Sequence, residues 1–260
     1  MIDLLSLVNF NNQERVRYLP LSWGSFYRRY KVSRHIVLDG SNVMGKQAEI
    51  YQKYGIEAHH LPGLSYGERL KAGMNLVRSD YFLFYPDDFK WIFDYPLDTA
   101  VEEARRYGVH ALKLVPRGKS WYATKNPMPV SWYQGRRVES GELLQPMGDL
   151  CVSTRRWVRN FHEQFSLGCN VMNSEFARWV VRKIPKSVKG PSQAEKWAYV
   201  LLLLRSRYLV GYYKMWTPAF HFVDLAIEGN TPVTRILAAT NLIAENETLF
   251  NNLCNGRGEV

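Results

Sequence analysis

Short apolar runs that end in polar turns recur along the first half of the chain, and they predict the strands of a sheet that is covered on both faces. In the clearest run, residues 81–85, five apolar or aromatic side chains precede Pro86, Asp87 and Asp88. A continuous apolar run of this length, bounded by turn residues, is typical of a strand buried on both faces. Further strands are predicted at residues 4–8, 35–38 and 109–115, and a short strand is possible at residues 56–60.

Helices are predicted between these strands. Ser65 and Glu68 have the spacing of a capping box, and Gly55 has the position of a helix-ending glycine. Pro20 and Gly24 are expected to interrupt or kink the first helix, because proline lacks a backbone donor and glycine weakens a helix interior. The predicted helices span residues 13–30, 47–54, 65–78, 98–108, 174–183 and 193–205.

The alternation of strands and helices in the first half is the pattern of an open α/β sheet with right-handed crossovers. We therefore predict an α/β fold with a mostly parallel central sheet flanked by helices. The second half is less regular, since prolines and glycines punctuate residues 117–148. The sequence shows no internal repeat and no linker, so we expect residues 1–260 to form a single domain with one sizeable core.

Composition and charge narrow the classes of partner. The chain has 260 residues and a formal net charge of +10, which favours phosphorylated small molecules, anionic membrane surfaces or nucleic acid. The basic residues are scattered in pairs rather than gathered in a block, which argues against nucleic acid. The three cysteines include no CxxC pair, which argues against a disulfide framework or a zinc site and favours a reducing compartment.

Membrane-spanning segments are not predicted. The start of the chain lacks the basic region of a signal peptide, and the apolar run 198–204 is far shorter than the roughly 20 residues that a span requires. The sequence therefore predicts a cytoplasmic protein without a transmembrane segment, for which contact with a membrane surface remains open.

Polar residues follow three of the predicted strands: residues 9–12, residues 39–41 and Asp87 with Asp88. Because parallel strands of an open sheet end at one edge, where such sheets bind ligands, we expect these residues to share one crevice. Neighbouring carboxylates repel one another, so a metal ion or a cationic side chain is expected between them. Two simpler interpretations stay open, in which Asp39 only forms a turn and the Asp87–Asp88 pair only caps a helix.

This order of strands, loops and acidic pair resembles the nucleotide-sugar half of GT-A glycosyltransferases, nearest to the large family-two group. The resemblance covers about the first 90 residues well and extends more loosely to about residue 225. It implies that the loop carrying Asn9 and Asn11 and the Asp39-Gly40-Ser41 turn bind the nucleoside. The segment Tyr85-Pro86-Asp87-Asp88 stands at the metal-binding motif.

The resemblance also implies roles in catalysis. Asp87 and Asp88 would bind a divalent cation, Mn²⁺ or Mg²⁺, and the donor diphosphate, although Tyr85 stands where the family has its first acid. His221 would be a further metal ligand, or else a packed histidine. Glu195 would be the general base, with Glu163 and Asp149 as alternatives, or else merely an exposed glutamate near a helix N-terminus.

The implied function is metal-dependent transfer of a sugar from a nucleoside-diphosphate sugar to a hydroxyl of a glycan, lipid-linked or protein acceptor, with inversion. Residues 1–116 would form the donor half and residues 117–260 the acceptor half. One alternative is a nucleotide-sugar-binding protein of the same fold with impaired catalysis. The other, a nucleotidylyltransferase, is disfavoured because the loop 9–13 lacks the glycines that cradle a triphosphate.

Overall fold

The computed structural model describes residues 2–87, 89–91, 97–114, 131–133, 136–138, 144–147, 150–153, 167–203, 210–213 and 219–221. Its helices are a 3-10 helix (Gln13–Tyr18), α1 (Leu19–Tyr27), α2 (Gln47–Tyr54), α3 (Tyr66–Leu76), α4 (Leu97–Arg106), α5 (Ser174–Lys183) and α6 (Pro191–Leu203). Its strands are β1 (Asp3–Val8), β2 (Arg34–Asp39), β3 (Glu57–His60), β4 (Tyr81–Phe84), β5 (Phe89–Trp91), β6 (Ala111–Lys113), β7 (Ser131–Tyr133), β8 (Arg136–Val138), β9 (Leu144–Met147), β10 (Leu150–Ser153), β11 (Asn170–Asn173), β12 (Val210–Tyr213) and β13 (Ala219–His221).

Nine of the described strands form one sheet, in the order β3-β2-β1-β4-β11-β6-β12-β10-β9. The first four strands of this order are parallel, as the alternation of strands and helices predicts. β11 is antiparallel to both β4 and β6, whereas β12 is parallel to β6, and β10 and β9 complete the sheet as antiparallel strands. The parallel half therefore joins the chain's second half through β11, which runs against its neighbours.

Both faces of the sheet are covered by apolar side chains. Leu4 and Val8 of β1 pack with the layer that contains α1 and α4. Leu5 and Leu7 point to the opposite face and pack with the layer of α3, α5 and α6. This alternation follows from the two-residue period of a strand, and it confirms the prediction of strands buried on both faces.

The local signals for helix ends are also confirmed. Gly55 ends α2 in the left-handed conformation, with φ of 61°, and Ser65 and Glu68 form the capping box of α3. The predicted first helix is divided into the 3-10 helix and α1, and Pro20 is the second residue of α1. A proline fits there without a kink, because the first-turn N–H groups have no partner within a helix.

The second half contains more strand than its sequence indicates. Three short strands, β7, β8 and β9, lie within the stretch 117–148, which the sequence indicates to be irregular. Among the described residues, no helix is long and apolar enough to cross a membrane.

Candidate functional site

The polar loops that follow β1 and β2 meet at the carboxyl edge of the parallel strands. The Phe10 N–H donates to the Ser41 hydroxyl at 2.7 Å, and the Asn42 N–H donates to Asn11 Oδ1 at 2.7 Å. The Asn9 side-chain amide also reaches the Gly40 carbonyl, at 3.4 Å. The structure thus brings Asn9, Asn11 and Ser41 together, as the sequence predicts.

Asp39 is fully buried beneath this pair of loops. Its Oδ1 accepts from the Ser41 N–H at 2.8 Å and from the Ser41 hydroxyl. Its Oδ2 accepts from the Tyr51 hydroxyl at 2.7 Å and from Gln47 Nε2 at 3.4 Å. These contacts order the turn and fasten it to α2. A nucleotide-binding role for Asp39 stays a prediction.

Tyr51 lies between two carboxylates. Burial, together with the negative charge of Asp39 and of the more distant Asp87, raises the pKa of the Tyr51 phenol well above its ordinary value. The phenol therefore keeps its proton and remains a donor to Asp39. The sequence analysis missed Tyr51, although its place on the inner face of a short helix directly after the Asp-Gly-Ser turn was a usable signal.

A buried arginine supports the same loops from below. Arg69, in the second turn of α3, donates through Nη1 to the Val8 carbonyl at 2.6 Å and to the Leu38 carbonyl at 3.3 Å. A Cβ atom at Gly40 would lie 2.5 Å from the Arg69 Cζ, so the glycine leaves room for the guanidinium. Arg69 was not predicted from the sequence, because its two carbonyl partners lie 61 and 31 positions earlier in the chain and only the fold brings them together.

Asp87 lies beyond the end of β4 and is paired with a cation. Arg15 Nη2 lies 2.8 Å from Asp87 Oδ2, and the side chains are 30% and 9% exposed respectively. The expectation of a cationic group beside these carboxylates is therefore confirmed by Arg15, a residue that the sequence analysis did not name. Asp88, the second predicted ligand, lies outside the described residues.

Tyr85, at the position where the resemblance would place an acid, belongs to the core. It is fully buried, and its ring packs against Phe26 at 5.2 Å between centroids. Its hydroxyl lies 2.9 Å from the Phe89 carbonyl and 3.2 Å from the Ser22 carbonyl. The aromatic ring therefore anchors the end of β4 to α1 and does not enter the crevice.

A metal at this edge would depend on Asp87 and on residues near it. The part of the chain that the structure describes contains no group of three or more potential metal-ligating side chains. Asp87 is paired with Arg15, so a metal ion bound there would share the carboxylate with the guanidinium. β13 pairs with β5 so that His221 is opposite Phe89, which brings the backbone of His221 beside the residue that follows Asp88.

Glu195 approaches the same edge from the second half. β11 is antiparallel to β4 with Asn170 opposite Phe84, so the residues before Asn170 lie at the carboxyl end of β4. Glu195 Oε1 accepts from the Leu167 N–H at 2.6 Å. Glu195 is buried rather than exposed, in contrast to its simpler interpretation as a surface residue. The alternative bases Glu163 and Asp149 lie outside the described residues.

Comparison with solved structures identifies the fold. TarS of S. aureus, residues 1–349, superimposes with a TM-score of 0.55 at 12% identity, covering 98% of this chain and 72% of that chain. Its complex with UDP gives 0.56 at 12% identity, covering 95% and 65%. GalNAc-T7 with UDP, GalNAc and Mn²⁺ gives 0.57 at 9% identity, covering 84% and 43%. The sequence itself matches no protein-family model and no curated protein. The likeness confirms the predicted fold, and the chain has the GT-A architecture of these glycosyltransferases.

Proposed function

We propose that this chain is a glycosyltransferase that moves a sugar from a nucleoside-diphosphate sugar to an acceptor hydroxyl, with a divalent cation and with inversion at the sugar. The observation that carries the proposal is the meeting of polar loops at the carboxyl edge, in a fold shared with enzymes solved with UDP, with UDP-GlcNAc and with UDP, GalNAc and Mn²⁺. The acceptor would belong to a glycan, a lipid-linked molecule or a protein, and the reaction would take place in the cytoplasm.

The polar loops after β1 and β2 would bind the nucleoside part of the donor. Asn9 and Asn11 present exposed amide groups, which suit the hydrogen-bonding groups of a base and a ribose. Ser41 is buried, and it would act by holding the two loops together through its bonds to Phe10 and Asp39. Asp39 would hold this surface in place from beneath. Gln47 and Tyr51 donate to its carboxylate. A contact between Asp39 and the nucleoside would therefore have to add to these hydrogen bonds or replace one of them.

The diphosphate would lie above Asp87 and Arg15. The Arg15 guanidinium is partly exposed and offers further N–H donors beyond the one that Asp87 accepts. A bound Mn²⁺ or Mg²⁺, held by Asp87, Asp88 and His221, would supply Lewis-acid neutralisation of the charge that develops on the leaving diphosphate. Arg15 would add a fixed positive charge to the same oxygens and orient them.

Glu195 would accept the proton of the acceptor hydroxyl. Its carboxylate is fixed in orientation because the Leu167 N–H holds Oε1. This contact joins α6 to the segment that precedes β11, at the edge where the donor half ends. From this position the base would activate an acceptor hydroxyl for attack on the face of the sugar opposite the diphosphate, and such an attack would give inversion.

Donor binding tests the central claim. UDP and UDP-sugars should bind the full chain more tightly with Mn²⁺ than without it, as measured by calorimetry. Asp87→Asn should weaken Mn²⁺-dependent binding about tenfold or more, because a charge-assisted contact is worth about 1.5–3 kcal/mol. Glu175→Gln, at an exposed site on α5, is the matched control and should bind as the natural chain does. Unchanged nucleotide binding by Asp87→Asn would contradict the proposal.

Glu195→Gln tests the base. Glutamine can still accept the Leu167 N–H bond, so the fold and donor affinity should be retained. Turnover should fall about 10²–10⁴-fold, the usual contribution of a general base. The rate of sugar transfer or of donor hydrolysis, compared with that of Glu175→Gln, gives the measurement. Turnover that stays at the natural level would exclude Glu195 as the base.

A binding protein with impaired catalysis is the second candidate, and the burial of Tyr85 favours it. The crevice has lost the acid that the family places there, and the replacement serves the core. This candidate predicts that UDP-sugars bind but are neither hydrolysed nor transferred. Detectable hydrolysis that depends on Asp87 would exclude it.

A further inference from the structure

Exposed apolar side chains gather along the carboxyl edge of the sheet. Five large hydrophobic residues are exposed in the part of the chain that the structure describes. Three of them lie in loops at this edge, and the other two lie on α6. Val43 and Met44 follow β2, and Leu64 follows β3. Trp197, 48% exposed, and Val200, 52% exposed, occupy successive turns on the outer face of α6.

The loops that carry these residues are joined to one another by hydrogen bonds. The loop after β3 is fastened to the loop after β2, since His60 Nε2 lies 2.8 Å from the Ser41 carbonyl. The next residues are joined to the loop that precedes α6, because the Gly67 N–H donates to the Val188 carbonyl at 2.9 Å. We call the surface formed by the loops 42–46, 61–65 and 186–190 and the outer face of α6 the rim.

Lysines flank the exposed apolar groups along the rim. Lys46, Lys186, Lys189 and Lys196 are all exposed. Lys189, Lys196 and Trp197 contribute to the lining of a groove of about 400 Å³, whose floor includes Val188. Glu68, which interacts electrostatically with Lys186, is hydrogen-bonded to Ser65 in the capping box of α3. The rim therefore combines positive charge with apolar contact area.

We propose that the rim docks the protein on an anionic phospholipid membrane, with the crevice facing the bilayer. Lysines near such a surface are attracted by its acidic headgroups, and tryptophan favours the boundary between headgroups and acyl chains. A soluble polyanion would use the lysines but would gain nothing from exposed Val43, Met44, Leu64 and Val200. The aliphatic side chains therefore favour a lipid surface over a dissolved polyanion.

Flotation of the full chain with vesicles tests the proposal. Vesicles of phosphatidylcholine with 30% phosphatidylserine should bind the protein at roughly physiological salt, and pure phosphatidylcholine vesicles should bind it much less. Trp197→Ser combined with Val200→Ser should weaken partitioning about tenfold, and Lys186→Glu combined with Lys189→Glu should weaken it at least as much. Both pairs are exposed, so far-ultraviolet dichroism and melting temperature should stay near natural values.

A matched charge change separates the rim from net charge. Arg28→Glu with Lys31→Glu alters the charge equally at the amino edge, between α1 and β2, and should retain most vesicle binding. The proposal would be overturned if this control lost as much vesicle binding as the rim variants, or if the rim variants bound vesicles as well as the natural chain. Binding to heparin or polyphosphate without binding to vesicles would also overturn it, in favour of a soluble polyanion. Because these measurements omit nucleotide, their outcome is independent of the proposed transfer activity.

Discussion

His35 shows what single buried polar residues contribute to this fold. It is 2% exposed on β2, with Ser6 Oγ 2.8 Å from Nε2 and the Tyr27 hydroxyl 2.7 Å from Nδ1, and its ring meets the edge of Trp23. Burial lowers the pKa of the imidazole from 6.5 to about 3, so the folded chain holds it neutral. The folded state therefore favours the unprotonated ring.

Acid should therefore destabilise the protein through His35. The unfolded chain takes up a proton below about pH 6.5 and the folded chain does not, so this stabilisation is complete above pH 6.5 and is lost as the pH falls toward 3. The loss is about 1.4 kcal/mol per pH unit. Urea unfolding at pH 7, 5.5 and 4.5 should show that the difference in free energy of unfolding between the natural chain and His35→Gln becomes smaller as the pH falls. A constant difference would contradict this assignment.

The sequence could predict the need for a cation beside Asp87 but not its identity. Arg15 is 72 positions earlier in the chain, and only the fold brings the 3-10 helix to the end of β4. Glu195 was similarly identified by its place in the family pattern, whereas its burial and its bond to Leu167 depend on packing between distant segments. The identity of a residue determines which interactions its side chain can form, but here the sheet topology determines which partners come within reach.

Elements with local signals were predicted most closely. The predicted helix 174–183 coincides with α5, and its Asn173 cap accepts from the Phe176 N–H at 2.9 Å. β11 was harder to predict. Its antiparallel insertion between β4 and β6 depends on long-range pairing, which no local sequence pattern encodes. Helix caps depend on residues that are close in sequence and can be predicted from them, whereas strand order depends on pairing between distant segments.

Ser65→Ala should measure the capping box of α3. The substitution removes the acceptor for the Glu68 N–H and the hydroxyl bond to the Lys186 carbonyl. Loss of a serine cap typically costs about 1 kcal/mol. Chemical denaturation should show a decrease of that size, and Ser65→Thr should recover most of it. A change below a few tenths of a kcal/mol would mean that α3 is held by packing alone.

Gly67→Ala should be more damaging than its mild chemistry suggests. A Cβ atom there would meet the backbone carbonyls of Pro185 and Lys186, and backbone cannot move aside as a side chain can. We expect a loss of about 1–3 kcal/mol, the usual cost of overpacking. Gly190→Ala, where nothing lies within 4 Å, is the control for the loss of a glycine. Similar denaturation midpoints for the two variants would show that the loop before α6 yields easily.

At the scale of the whole molecule, the carboxyl edge is built by both halves of the chain. The first half provides the loops after β1, β2 and β4, and the second half provides the segment before β11 and the Glu195 helix. The alternation of strands and helices predicted this parallel half. The directions of β9, β10, β11 and β12 depend on long-range pairing that the irregular sequence of the second half does not encode locally.

A ligand at this shared edge should stabilise the molecule as a whole. At 100 times its dissociation constant, UDP with Mn²⁺ should add about 2.7 kcal/mol, which corresponds to a rise in melting temperature of about 5–10 °C. Arg15→Met should show a smaller rise at the same UDP concentration, because it lacks the proposed phosphate contact. The absence of any shift at millimolar UDP would argue against a nucleotide site.

The buried ring of Tyr85 also determines whether an acidic side chain could stand at position 85. A single Tyr85→Asp substitution would leave a cavity beside Phe26 and place a carboxylate among aromatic rings, at a cost of several kcal/mol. An acid at position 85 would therefore destabilise the fold unless the residues of α1 around the ring were changed with it. Tyr85 and its aromatic neighbours can thus be exchanged only as a group.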